Sequence, residues 1–398
     1  MVILRRAAVL ASVMTMLAGA ATVQPAGAQS MLVVSPTGID CHRNHPAYTS
    51  VQAAVNAALP GSTIFICPGI YAEQVVVTKN DLTLRGSDQD AEPDEDQHTG
   101  LTVLRPTVLP VDPGNPNSGT PRKAILLVNG ATGVTVANLT VDGSAADAGA
   151  AKFPNCNKLG FNVGIYYRNS SGTVASTHTT NITTAARCSA GIFTESGGGG
   201  TAKVEVIGNT VDNYGSDGVV CNGVGTTCTV TGNTVLGRGL VDDYSQFGIE
   251  IRAGAVAKVR LNSLSGHLCN NPSCGPDPLN DIQAFGIFIQ RGGNGSDISQ
   301  NRFADNDAGI LQFLSPDCCT ISENHFMNNR FIGILIADGN GTTSENEITG
   351  GQIGIAVVAD IVDTVGMLRG DKIRDTTVAP VREESCCGFT ATAIVTNH

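Results

Sequence analysis

The sequence predicts an all-β fold: one chain wound into a single-stranded parallel β-helix of about ten coils, with three strands per coil and a short N-terminal capping helix. Two recurring marks and one periodicity predict it. A glycine followed by alternating apolar residues recurs along the chain, an asparagine recurs between those glycines, and the fragments around both alternate with a period of two.

The glycine mark appears at Gly164 (GIYYR), Gly191 (GIFTE), Gly218 (GVVCN), Gly248 (GIEIR), Gly286 (GIFIQ), Gly309 (GILQF), Gly333 (GILIA) and Gly354 (GIAVV). Successive spacings are 27, 27, 30, 38, 23, 24 and 21 residues. The asparagine mark appears at Asn138, Asn181, Asn209, Asn233, Asn262, Asn301, Asn324 and Asn346, 13 to 18 residues after the preceding glycine wherever there is one. Fixed marks with elastic lengths between them describe a coil whose loops vary and whose strands do not.

Each repeat reads as strand one (Gly-Ile-x-Ile), a loop, strand two ("VEVI", Val204–Ile207), a tight turn at asparagine, a short strand three ("TV") and a return loop. The residues after glycine, from Ile165 to Ile355, would stack about 4.8 Å apart into one aliphatic column. A single repeat cannot bury that face, but a stack can. Asparagine suits the bend because it tolerates left-handed backbone angles, and stacked amides can pair from coil to coil. A leucine-rich repeat also fits "VEVIGNTV", but its return segment would lack the second β signature seen here.

Before the repeats, Ser50–Leu59 is amphipathic and would plug the open end of the stack, while "STIFI", "EQVVV" and "LTLRG" would form the first coil. With these segments, the stretch from Tyr48 to the C-terminus resembles the right-handed parallel β-helix of the pectin-lyase-like superfamily. That resemblance implies a right-handed coil and a fold shared by polysaccharide lyases, glycoside hydrolases, esterases, epimerases and phage tailspikes. It does not choose among them.

Arg5 and Arg6, the apolar run Ala7–Val23 and the small residues Ala26-Gly27-Ala28 read as a secretory signal peptide over residues 1–28, cleaved near Ala28. Residues 29–398 form one expected domain, with the capping helix at about 50–59 and insertion loops at about 88–122, 142–162 and 265–285. A formal net charge of −11 argues against nucleic acid and against anionic membranes, and no second apolar segment suggests membrane insertion. Twelve cysteines in an exported chain read as disulfides. Proximity suggests Cys41–Cys67, Cys156–Cys188 and Cys269–Cys274, and leaves the adjacent pairs Cys318-Cys319 and Cys386-Cys387 unassigned. Zinc would need paired Cys-x-x-Cys motifs, which the sequence lacks.

Outward positions of strand one are the natural ligand surface. Two residues after glycine come Tyr166, Phe193, Val220, Glu250, Phe288, Leu311 and Leu335; four after come Arg168, Glu195, Asn222, Arg252, Gln290, Phe313 and Ala337. Tyr166, Phe193 and Phe288 are candidates to stack on sugar rings, and Arg168, Glu195 and Gln290 to bond them. The loops add Asp212, Asp217, Asp242, Asp243 and Tyr244, and the insertion near Cys269–Cys274 adds His267, Asp277 and Asp281 as a groove wall.

An extracellular polysaccharide is the expected ligand, and three outcomes compete. A hydrolase would pair carboxyls drawn from Asp217, Asp242, Asp243 and Glu250. A lyase would set Arg252 against a substrate carboxylate with Asp242 and Asp243, with Ca²⁺ as the one candidate cofactor. A non-catalytic structural or cell-surface interaction protein is the alternative of another class. Polygalacturonases carry Asn-Thr-Asp, Asp-Asp, Gly-His-Gly and Arg-x-Lys; here only "NTVD", Asp242-Asp243 and Gly266-His267-Leu268 echo them, and the pectate-lyase Arg-x-Pro-x-x-Arg pattern is missing. Plain structural pairing also fits: Glu195 with Arg168 one coil away, and Glu250 with Arg252 on one strand face.

Overall fold

The computed structural model describes residues 30–41, 46–87, 100–145, 161–183, 188–241 and 246–396. The expected signal peptide, the acidic run Asp88–Gln97, Cys156, Asp242, Asp243 and Tyr244 lie outside the described residues. Three parallel sheets of 13, 11 and 11 strands run the length of the molecule, and, apart from Met31–Val34, which pairs with the next strand Thr63–Ile66, a strand's neighbours are the third before it and the third after it in the chain. That order is the signature of three strands per turn.

Ser50 caps the expected helix, which spans Val51–Ala57; its hydroxyl accepts from the Ala53 amide and donates to Glu73, and Glu73 also accepts from the amides of Val51 and Gln52. Val51, Ala54 and Val55 are buried against the first coil, so this end of the stack is closed.

The glycine-marked strands form one 11-stranded sheet, in register from coil to coil: Ile165, Ile192, Val219, Ile249, Ile287, Ile310, Ile334 and Ile355 are all fully buried. The glycines themselves are required by close approach. A Cβ on Gly191, Gly218 or Gly248 would stand 2.5–2.7 Å from the carbonyl oxygen of the next glycine in the stack.

The asparagine ladder is present, with a correction. Asn209, Asn233, Asn262, Asn301, Asn324 and Asn346 each donate Nδ2 to the side-chain oxygen of the next rung at 2.7–3.0 Å, and Asp371 ends the series. The left-handed residue of that turn is the one before the asparagine: Gly208, Gly232, Leu261, Gln300, Glu323 and Glu345. Asn138 and Asn181 stand outside the ladder and take left-handed angles themselves. The ladder asparagines must turn inward to reach their partners, so the preceding residue carries the backbone reversal.

Cys41–Cys67 and Cys269–Cys274 are bonded as expected, and Cys188 is also in a disulfide. Cys221–Cys228 joins two inward positions of one coil, and Cys318–Cys319 and Cys386–Cys387 each bond within the adjacent pair. Among the described residues no helix is long and apolar enough to cross a membrane.

Candidate functional site

The outer face of the glycine sheet carries three rows of side chains. The alternation breaks at each glycine, so the residue before it points outward along with those two and four after it. The row before glycine reads Val163, Ala190, Asp217, Phe247, Phe285, Ala308, Ile332 and Ile353. One acid interrupts an otherwise apolar column.

Both ends of this face are covered by apolar clusters, one around Tyr166 and Phe193, the other around Phe285, Ile332 and Leu335. Between them lies a charged cavity of about 330 Å³ lined by Asn115, Arg122, Phe161, Asp217, Phe247, Glu250 and Arg252, with Ser118, Thr120 and Ser216 at its polar edge.

Glu195 holds the back of the cavity together and is fully buried. It accepts from Tyr166 Oη at 2.8 Å and Asn115 Nδ2 at 2.6 Å, bonds Asn222, and pairs with Arg122 Nε at 2.8 Å. The expected Glu195–Arg168 pair is therefore replaced. Arg168 instead donates to the Gly114 carbonyl and to Asn129, pinning the loop that brings Asn115 over the face. Tyr166 and Phe193 are fully buried and cannot stack on a ligand; the Arg122 guanidinium lies 4.6 Å over the Phe193 ring.

The Glu250–Arg252 pair forms as expected, at 2.9 Å, but in a buried setting rather than an exposed one. Burial raises the Glu250 carboxyl, and Arg252 opposes that rise. The Arg252 guanidinium is itself desolvated, which lowers its pKa, yet Glu250, Asp217 and Glu195 outweigh that and raise it. Its Nε donates to Asn222 Oδ1 at 3.1 Å.

Asp217 is 4% exposed. Its Oδ2 accepts from the Ser216 hydroxyl at 2.6 Å, while its buried Oδ1 has no hydrogen-bond partner among the described residues. Burial, reinforced by the neighbouring Glu250 charge, pushes its carboxyl up to about 8. The site thus sets two carboxyls raised by burial side by side, Asp217 bonded to a serine hydroxyl and Glu250 fixed by a guanidinium.

Among the described candidates, the structure brings Asp217, Glu250 and Arg252 into the lining of one cavity, with Glu195 behind them, and leaves Tyr166, Arg168, Phe193, Phe288 and Gln290 out of that lining. Phe288 is half-buried and lines a neighbouring apolar cavity of about 370 Å³; Gln290 pairs with Arg252 in register but lines neither cavity. His267 belongs to the strand Ser263–Cys269 and faces the interior rather than a groove wall. Burial lowers its pKa to about 4, and the neutral ring donates from Nδ1 to Asn306 at 2.7 Å and accepts from Tyr214 at Nε2.

Sequence reasoning missed Arg122 because the strand Arg122–Asn129 lacks the glycine mark, although it pairs with Phe161–Arg168 in the same register; it missed Asn115 because that residue lies in an irregular loop, and Phe161 because it stands three residues before Gly164, outside the rows followed. It also missed Phe247. Extending the outward rows to the position before glycine would have found Phe247 and singled out Asp217. As for Ca²⁺, the close groups of potential ligands among the described residues are Asp40 with Cys41 and Cys67, and Asp360 with Cys386 and Cys387, whose sulfurs are in disulfides. The charged cavity offers two carboxylates beside a guanidinium, a poor fit to a cation that takes six to eight oxygens.

Residues 190–360 match a family described as a right-handed beta helix region. No curated protein matches the sequence significantly. Among solved structures, a GH136 lacto-N-biosidase from Eubacterium ramulus superposes with a TM-score of 0.60 at 12% identity, over 92% of this chain and 68% of that one. The periplasmic alginate epimerase AlgG gives 0.47 at 13% identity, over 88% and 84%. The catalytic unit of a GH87 alpha-1,3-glucanase from Streptomyces thermodiastaticus gives 0.47 at 15%, over 94% and 69%. At these identities the likeness is one of fold. Three parallel sheets in threefold strand order and the matched repeat region make this chain a right-handed parallel β-helix repeat protein.

Proposed function

We propose that the charged cavity binds an extracellular glycan and hydrolyses a glycosidic bond, with the chain exported by its N-terminal segment. One observation carries this reading: Asp217, alone among apolar neighbours in its row, is buried with an unpartnered oxygen beside the ion-paired Glu250. Glycoside hydrolysis uses one carboxylic acid and one carboxylate flanking the bond. Asp217 donates its proton to the departing glycosidic oxygen. Glu250, ion-paired with Arg252, serves the opposite face of the sugar as base or nucleophile. The GH136 structure of the same fold belongs to a lacto-N-biosidase, which makes a glycosidase reading reasonable for such a coil.

Charge balance favours a neutral sugar over a uronate. Elimination from a uronate needs a cation on the substrate carboxylate, but Arg252 is engaged by Glu250 and Arg122 by Glu195. The test is a panel of neutral and acidic plant, algal and microbial polysaccharides, with and without Ca²⁺. The expected result is release of reducing ends from a neutral glycan, indifferent to chelation and reduced about 10²–10⁴-fold in Asp217→Asn. Unsaturated products from an acidic glycan would overturn hydrolysis in favour of elimination. Binding without cleavage would establish the non-catalytic alternative.

A further inference from the structure

The apolar cavity beside the charged one has no role in bond cleavage, and the two adjoin at one side chain. Phe247 lines both, and its ring lies 4.7 Å from Phe288. From Glu250 the same outward row continues through Phe288, Leu311 and Leu335, in register, for three coils, or about 14 Å.

Of the polar groups lining this apolar run, Gln283, Asp281 and Asp338 already hold protein partners, and Asp360 is the remaining acid. Gln283 donates to the carbonyls of Gly275 and Asp277, Asp281 accepts from the Asp277 amide, and Asp338 accepts from the amides of Asp360 and Ile361 at 2.8 and 2.7 Å. A sugar laid there would bury hydroxyls against Phe288, Leu311 and Leu335 with little to bond them. A hydrocarbon chain would match the floor.

Resting on the glycosidase reading, we propose that the substrate is a glycoconjugate carrying an alkyl or acyl chain, with its sugar in the charged cavity and its chain along the Phe288–Leu311–Leu335 run. Those side chains set specificity and leave the proton-transfer groups untouched.

The test is calorimetric titration of the full chain with methyl, butyl, hexyl and octyl glucosides, below their micellar concentrations. Affinity is expected to rise about fourfold per added CH₂. The rise is expected to vanish in Leu311→Asp and in Phe288→Ser, both at half-buried outward positions, and to persist in Asp217→Asn. Circular dichroism checks that each variant is folded. Affinity independent of chain length, or a rise that survives both groove variants, overturns the proposal. A glucoside series that keeps its chain-length dependence while no glycan is cleaved supports the groove and overturns hydrolysis; cleavage without that dependence does the reverse.

Discussion

Asp217 and Glu195 lie on neighbouring strands of the same outer face, and their surroundings separate their roles. Glu195 has four polar partners, from Asn115, Arg122, Tyr166 and Asn222, and acts as a tie between coils and loop. Asp217 has the Ser216 hydroxyl alone among the described residues. Burial therefore raises Asp217, and the folded protein keeps a proton that the unfolded chain releases above about pH 4. The stability linked to this proton is full below the unfolded pKa, is lost as pH rises through about 8, and is level beyond. Thermal unfolding followed from pH 5 to 8 should show the wild type losing about 5 °C more than Asp217→Asn. Parallel curves would mean that Asp217 is ionised throughout.

At the scale of the element, the asparagine ladder shows how one side chain can hold a stack of short strands. Asn262 accepts from the amide and Nδ2 of Asn233, and donates to Asn301 Oδ1 and the Val230 carbonyl, all near 2.9 Å. Replacing it with alanine strands at least two buried donors and should cost about 3 kcal/mol in a denaturant melt. Asn262→Asp should also destabilise, since a carboxylate cannot donate onward. The opposite swap at the end of the ladder, Asp371→Asn, should cost less, because an amide oxygen still accepts both bonds from Asn346 and only the Thr343 hydroxyl must turn from donor to acceptor. Equal losses in all three variants would refute the donor–acceptor chain.

This ladder was legible in the sequence because stacking forces the same residue to recur at the same place. The position of its left-handed angle was not, since Leu261 and Gln300 carry no such signature. The site was legible only where it used the repeat: Glu250 and Arg252 follow directly from Gly248. Arg122 and Asn115 come from an unmarked coil and an irregular loop, placed by long-range pairing with Glu195 that no local pattern encodes.

Over the whole molecule, the glycine sheet presents an apolar cluster, a charged centre and a second apolar run in sequence along the helix axis. The coil supplies rigidity and burial, and the proton on Asp217 is a consequence of both. The most direct test of that claim is infrared difference spectroscopy of the folded protein between pH 6 and pH 9, comparing wild type with Asp217→Asn. The prediction is a protonated carboxyl band that disappears with a midpoint near 8 in the wild type and is missing from the variant. A wild-type spectrum with no carboxyl titrating in that interval would contradict it.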